Sequence, residues 1–163
     1  MTTALVPPDV ALHASWEAAV REFGDPAGMH GSGLWTMDTS DLSRERLATL
    51  IAPLLAAVHT PEQEGFVRCS YRWIVDDGEF VGYLALRHEL NDFLLDQGGH
   101  IGYSVRPSRR REGHATRALA LGVVEARELG LERVLVTCDV DNLASARTIE
   151  RNGGVLEDVR GDK

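Results

Sequence analysis

The sequence has few cysteines and no long apolar run. Its 163 residues include two cysteines, Cys69 and Cys138, with no Cys-x-x-Cys pair and no nearby histidine at metal-ligand spacing. We therefore expect free buried thiols and no bound metal. No stretch approaches the roughly 18 apolar residues of a membrane span, and residues 1–10 lack the basic-then-apolar pattern of a signal peptide. These absences predict a cytoplasmic protein without a membrane partner.

Positive charge is scarce overall but concentrated in one place. The net charge is −8, which should repel nucleic acid. Residues 101–120, however, contain five arginines and one glutamate, a local charge of +4 that leaves −12 for the remainder. The basic segment suits an anionic ligand, and the acidic remainder is compatible with a cationic substrate.

Two common nucleotide-binding motifs are also missing. There is no G-x-x-x-x-G-K-[ST], which argues against a P-loop hydrolase, and no G-x-G-x-x-G after a strand, which argues against a dinucleotide site. The composition, 44% hydrophobic and 26% charged, is that of one ordinary globular domain spanning residues 1–163.

Hydrophobic periodicity predicts helices and strands in alternation. Pro53 should kink or split the second helix, and Asp77-Gly78 predicts a tight hairpin. An antiparallel meander should therefore lead into a β-α-β crossover. The predicted helices are 11–23, 41–58, a short turn within 88–95, 113–129 and 143–151, and the predicted strands are 68–75, 80–87, 100–105, 134–138 and 155–159.

The segment from Gly102 to Thr116 has the pattern of an anion site. A strand leads into an arginine-rich turn, and Gly113 and Ala115 open a long helix. The unpaired N–H groups of a first helical turn bind phosphate, and small residues let a ligand approach them. Alternatively, Gly113 only permits close packing and the arginines form a solvated turn.

Arg110-x-x-Gly113-x-Ala115, after a strand ending Val105-x-Pro107, resembles the acyl-CoA-binding motif of the GNAT superfamily of N-acetyltransferases. Asp141-Asn142-x-x-Ser145 and Asn152-Gly153-Gly154 match the next block of that family. The strings 86–91 and 98–103 resemble a bacterial branch of predicted acetyltransferases, and the resemblance covers about residues 66–159.

The resemblance implies an α/β (α+β) GNAT fold. Its central sheet is expected to be mixed and mostly antiparallel, flanked by helices, with a β-α-β acyl-CoA-binding core at about residues 98–154. The closing strand of the family's fold is expected to be missing, because only four residues follow Val159. Either the sequence stops short of that strand, or a second copy covers the exposed edge and the protein is a homodimer.

The resemblance also implies acetyl-CoA as co-substrate. Backbone N–H groups would hold the pyrophosphate, the pantetheine arm would pair with the strand before the arginine turn, and Arg106 or Arg109 would meet the ribose phosphate. The implied cofactor-binding residues are Tyr103, Val105, Arg106, Arg110, Arg111, Gly113, His114, Ala115, Thr116, Asn142 and Ser145.

The implied reaction is direct transfer of an acetyl group to a primary amine of a small molecule or peptide. His100, His88 and Glu89 are the candidate bases. Ile149 stands where many members have a tyrosine acid, so Ser145 or Tyr103 would protonate the sulfur, or CoA leaves as thiolate. The missing tyrosine keeps open a non-catalytic acyl-CoA sensor of the same fold. The arginine cluster keeps open a nucleic-acid or phosphoprotein binder, against which the net charge counts.

Overall fold

The hairpin at Asp77-Gly78 forms the centre of the sheet. The computed structural model describes residues 2–163, and both turn residues have positive φ, 48° and 80°, as a two-residue hairpin turn requires. The sheet is antiparallel throughout, in the order β1-β2-β3-β4. Its strands are β1 (Thr3–Val6), β2 (Cys69–Asp76), β3 (Glu79–Arg87) and β4 (Ile101–Val105).

Helices cover both faces of this sheet, because successive strand residues point to opposite sides. Trp73 packs with Trp16 in the core beneath the first two helices, whereas its neighbour Ile74 packs with Leu119 in the core beneath the third. The helices are α1 (His13–Phe23), α2 (Arg44–Ala56), α3 (His114–Glu128) and α4 (Leu143–Arg151), with a π-helical turn at Leu94–Gly98. Within residues 2–163 no helix combines the length and the hydrophobicity needed to cross a membrane.

Two local predictions are corrected near the start of the chain. The hydrophobic pattern did not predict β1, a four-residue edge strand that pairs with β2 from Thr3 opposite Asp76 to Val6 opposite Trp73. Pro53 lies inside α2 without splitting it. Ile51 and Leu54 are buried on either side of the proline, so packing against the core keeps the helix continuous.

Two predicted strands do not form as predicted. The segment 134–138 is reduced to a single parallel pair, Val136 with Ile101, so the crossover from β4 through α3 exists but ends in one bridge. The segment 155–159 forms no strand, because nothing in the described residues 2–163 pairs with it. Its side chains Val155 and Leu156 are 91% and 81% exposed.

Candidate active site

A cavity opens where β4 diverges from the parallel segment 134–138. His100 donates its backbone N–H to the Leu135 carbonyl at 2.7 Å, and Ile101 pairs with Val136. Beyond that pair the two segments enclose a cavity of about 150 Å³. It is lined by His30, Gly31, Arg87, Gln97, Gly98, Ile101, Gly102, Tyr103, Thr137, Cys138, Asp139, Asn142, Ser145 and Lys163.

The backbone of β4 presents one hydrogen-bonding edge to this cavity. Arg106 donates its N–H to the Val81 carbonyl at 2.9 Å, and the His100 carbonyl accepts from the Arg87 N–H at 2.7 Å. Even-numbered residues of β4 therefore bond to β3, and by strand alternation the N–H and C=O groups of Tyr103 and Val105 face away from it. An extended ligand can pair with this edge as an additional strand would.

Two hydroxyls and an asparagine meet on the α4 side of the cavity. The Tyr103 and Ser145 hydroxyls hydrogen-bond at 2.7 Å. Asn142 caps α4, its Oδ1 accepting the Ser145 N–H at 3.1 Å, as predicted for this helix start. Burial raises the pKa of the Tyr103 phenol, so this group keeps its proton at neutral pH and can donate a hydrogen bond.

The turn before α3 is built on left-handed backbone. Gly113, the N-cap, has φ 84°, and Arg111 has φ 63° although it carries a side chain. Within residues 2–163 no side chain caps this helix. The N–H groups of residues 113–116 therefore lie at a helix end without intrahelical acceptors, where the helix dipole favours an anion.

The arginines of this segment divide into two groups. Arg106 is paired with Glu22 on α1 at 3.2 Å and donates to the Phe80 carbonyl at 3.3 Å. Arg109 is paired with Asp76 at 2.6 Å and with Glu112 at 3.1 Å. These two guanidinium groups are therefore engaged by carboxylates of the chain itself.

Arg110 and Arg111 differ from them in that both are exposed beside the turn. Arg110 Nε donates to the Val105 carbonyl at 2.9 Å, so it also closes the end of β4. The exposed positive charge beside the turn is that of this second pair, and the half-buried Arg117 donates from Nη2 to the Glu112 carbonyl at 2.8 Å.

The cavity, the outward edge of β4 and the N-terminus of α3 together form one slot lined by hydrogen-bonding groups. Comparison with a protein-family model identifies the domain that carries this slot. The acetyltransferase (GNAT) domain model matches residues 8–155. The chain belongs to the GNAT acetyltransferase family. The resemblance inferred from the sequence is confirmed, and with it an acyltransferase that uses acetyl-CoA in acetyl transfer to amines.

Solved GNAT structures share the fold at low sequence identity. RimL, a ribosomal α-N-protein acetyltransferase in complex with coenzyme A, has TM-score 0.67 and 20% identity, over 97% of this chain and 82% of that one. The microcin C7 self-immunity acetyltransferase MccE, in complex with acetyl-CoA and AMP, has TM-score 0.62 and 14% identity, over 93% and 77%.

A third similar structure is the Salmonella typhimurium acetyl transferase that modifies the N-terminal serine of a 50S ribosomal protein. It has TM-score 0.58 and 21% identity, over 99% of this chain and 90% of that one. At these identities the likeness shows the GNAT fold. No protein of curated function matches the chain in sequence.

Most of the predicted cofactor-binding residues of this GNAT domain lie together. Tyr103, Asn142 and Ser145 line the cavity, and Val105 continues the β4 edge toward the turn at residues 110–116. His114 is an exception, because its ring is buried and contacts Thr3 Oγ1 at 3.0 Å. Of His114, only the backbone N–H is available at the first turn of α3. Arg106 and Arg109 are further exceptions, because their guanidinium groups are paired with carboxylates.

The predicted bases lie elsewhere. His100 is buried, and its Nδ1 accepts the Leu135 N–H at 2.9 Å. His88 Nε2 hydrogen-bonds Ser70 Oγ at 2.8 Å, and Glu89 is exposed and pairs with Arg68 at 3.7 Å. Of the four predicted catalytic residues, Ser145 is the one that lines the cavity.

Sequence reasoning missed His30 and Asp139, which both line the cavity. The His30 carbonyl accepts from Ser104 Oγ at 2.8 Å, and Gly31 lies so close to β4 that a Cβ there would stand 2.4 Å from the Gly102 carbonyl oxygen. Lys163 pairs with Asp139 and lowers its pKa, as His30 does more weakly. A histidine in a glycine-rich loop was the available signal for His30.

Proposed function

We propose that this domain, residues 1–163 with a CoA-binding core at about 98–154, transfers acetyl directly from acetyl-CoA to a primary amine of a small molecule or peptide. The observation that carries the proposal is the continuity of the slot. The outward edge of β4 at Tyr103 and Val105 runs from the cavity to the first turn of α3, which no side chain of residues 2–163 caps. A long ligand with an anionic end and an amide-bearing arm fits this sequence of groups.

The anionic end of acetyl-CoA is proposed to lie on the turn at residues 111–116. Backbone N–H groups of Arg111, Gly113, Ala115 and Thr116 would donate to the pyrophosphate, with the exposed Arg110 and Arg111 side chains beside it. Arg106 and Arg109 would brace this turn instead of touching phosphate, because each is already paired with a carboxylate.

The pantetheine arm is proposed to pair with β4. Its amides would bond the outward N–H and C=O groups of Tyr103 and the N–H of Val105, since the Val105 carbonyl already accepts from Arg110 Nε. Asn142 would bond the arm from the α4 side. A backbone N–H near Val105 would polarise the thioester carbonyl as charge develops on its oxygen.

In the transfer step the neutral amine attacks the thioester carbon, the N–C bond forms and the C–S bond breaks with its electron pair going to sulfur. A thiol of pKa near ~8.5 is an adequate leaving group as a thiolate, so a hydrogen bond to sulfur is sufficient help. Ser145, linked to Tyr103, is placed to give it from the cavity wall.

The amine must lose a proton before or during attack. The two histidines predicted as bases, His100 and His88, use ring nitrogens in internal hydrogen bonds. His30, by contrast, is exposed and lines the cavity. We therefore assign proton acceptance to His30, with the proton passing from the amine to its ring nitrogen.

Calorimetry and thiol detection test the proposal together. Acetyl-CoA should bind, and free thiol should appear only when a primary amine is added. Binding without amine-dependent thiol release would support the acyl-CoA sensor, and absence of binding would overturn both CoA-dependent functions. The expectations of a cytoplasmic location and of a homodimer stay predictions.

A further inference from the structure

Lys163 is the single lysine of the chain, and its ammonium group lies at the wall of the candidate active site. It forms an ion pair with Asp139, whose carboxylate lines the same cavity. The two side chains are 26% and 50% exposed, so the pair lies at the mouth of the cavity and not in its floor. An amine of this protein therefore already occupies a position beside the slot.

Several contacts hold Lys163 in that place. Val140 donates its N–H to the Asp162 carbonyl at 2.9 Å, next to the partner carboxylate. Arg160 Nη1 donates to the Leu95 carbonyl at 3.2 Å and to Asp96 at 3.2 Å, which fastens the segment to the π-helical turn. Arg160 and Lys163 also exchange two backbone hydrogen bonds, at 2.9 and 3.1 Å.

The charges around the cavity leave one group to receive a cation. Besides Asp139 and Lys163, the lining contains the charged residue Arg87, whose guanidinium donates to the Gly98 carbonyl at 2.9 Å. Asp139 is the carboxylate of the lining. An amine substrate arrives as an ammonium ion, and a carboxylate is the group that attracts it and binds it by charge-assisted hydrogen bonds.

We propose that Asp139 binds the ammonium group of the acceptor, and that Lys163 occupies this subsite as an intramolecular competitor. The inference rests on the proposed function and adds its acceptor class, a cationic primary amine on a flexible aliphatic chain like that of lysine. Lys163 must move aside before an external amine binds, so the 155–163 segment limits access to the site.

Nuclear magnetic resonance of protein labelled with ¹⁵N,¹³C-lysine tests this without turnover, because the single lysine gives a single side-chain signal. The probe is n-butylammonium chloride, titrated to roughly 0.1 M, where a weak half-exposed ion pair should yield to competition. We expect the Lys163 signal to move saturably toward its position in Asp139→Asn. n-Butanol and sodium chloride at matched concentrations serve as controls. A signal that does not move, or that moves equally with either control, overturns the subsite.

Kinetics with n-butylamine give the second readout. Lys163→Met should lower the KM for n-butylamine about two- to fivefold, with the Kd for acetyl-CoA unchanged, because the competitor is removed. Asp139→Asn should abolish that gain in the double variant. Arg151→Met, which removes one positive charge from an exposed position of α4, should change neither constant.

The outcomes separate the two proposals. If acetyl-CoA does not bind, the proposed function fails while the displacement of Lys163 by n-butylammonium still reports on the subsite. If amine-dependent thiol release occurs but neither Lys163→Met nor Asp139→Asn changes the KM for n-butylamine, only the assignment of Asp139 and Lys163 is wrong.

Discussion

The hydroxyl of Tyr103 on β4 hydrogen-bonds the hydroxyl of Ser145 on α4 at 2.7 Å, in the wall of the cavity. Ile149, also on α4, packs into the core beneath α3 and carries no hydroxyl. We propose that the Tyr103–Ser145 pair supplies the hydrogen bond to sulfur in the transfer step.

Removing either hydroxyl should slow transfer. Tyr103→Phe and Ser145→Ala should each lower kcat about tenfold, the loss of one hydrogen bond of about 1.4 kcal/mol to the developing thiolate. Because the two act as a unit, the double variant should be little slower than either single variant. Amine-dependent thiol release measures this.

Tyr71→Phe is the matched control, since the Tyr71 hydroxyl bonds Glu62 and does not line the cavity. Its kcat should stay within twofold of the parent. Equal losses in all three single variants would show that hydroxyl removal acts through stability and not through sulfur.

The turn before α3 should tolerate no side chain at Gly113. Gly113→Ala should weaken acetyl-CoA binding at least about fivefold, because alanine strains the left-handed backbone of the turn and its Cβ would stand 2.5 Å from Arg117 Nη1, so the turn or the Arg117 side chain must shift. Calorimetry measures the Kd, and urea denaturation the stability.

Gly130→Ala controls for the strain alone. Gly130 has φ 90° and open space around the added Cβ, at the opposite end of α3. It should lose about 1 kcal/mol of unfolding free energy with an unchanged Kd. A similar Kd for both variants would place the pyrophosphate elsewhere.

Arg111 and Arg109 should behave differently although only Arg110 stands between them. Arg111→Gln should raise the Kd for acetyl-CoA about three- to tenfold at low salt and flatten its salt dependence, because this exposed guanidinium meets the anion. Arg109→Gln should leave the Kd within twofold and lower the unfolding free energy by about 1 kcal/mol, since it breaks the pair with Asp76. The reverse ranking of Kd would restore Arg109 as a phosphate ligand.

His100 should affect stability and not catalysis. Burial lowers the pKa of its imidazole, and the positive charge of Arg87 lowers it further. The unfolded chain, with pKa near ~6.5, then binds the proton more readily, so stability is full above that pH and declines as pH falls through it.

His100→Asn keeps an acceptor for the Leu135 N–H but cannot titrate. Urea denaturation at a series of pH values should show a smaller loss of stability between about pH 7 and pH 5 than in the parent. Thiol release should persist. Loss of transfer in a folded His100→Asn protein would instead make this histidine the base.

The sequence allowed the central elements of the fold to be predicted because they carry strong local signals. Asp77-Gly78 forms the predicted hairpin turn with positive φ at both residues, and Asn142 caps α4 as predicted. Strand β1 is four residues long and depends on its register with β2, which local pattern does not encode. The segments 134–138 and 155–159 contain apolar residues as strands do, but a strand also needs a neighbour with which to pair. Segment 134–138 pairs through one residue, Val136, and segment 155–159 pairs with nothing within residues 2–163.

The candidate site was predictable where backbone motif and function coincide. Gly113 and Asn142 belong to short continuous motifs, and each lies at the start of a helix as its motif predicts. The position of His30, the proposed proton acceptor, could not be predicted in this way, because His30 reaches β4 from a distant loop. The partner of Arg106 comes from α1, and one partner of Arg109, Asp76, comes from β2, so spacing along the chain does not predict these two ion pairs.

An amide-resolved ¹H–¹⁵N titration with acetyl-CoA tests whether the cofactor lies along β4 and the turn before α3. The largest shifts should fall on Tyr103, Val105, residues 111–116 and residues 142–145. Shifts confined to other faces of the domain, or no shifts at saturating acetyl-CoA, would show that acetyl-CoA does not bind in this place.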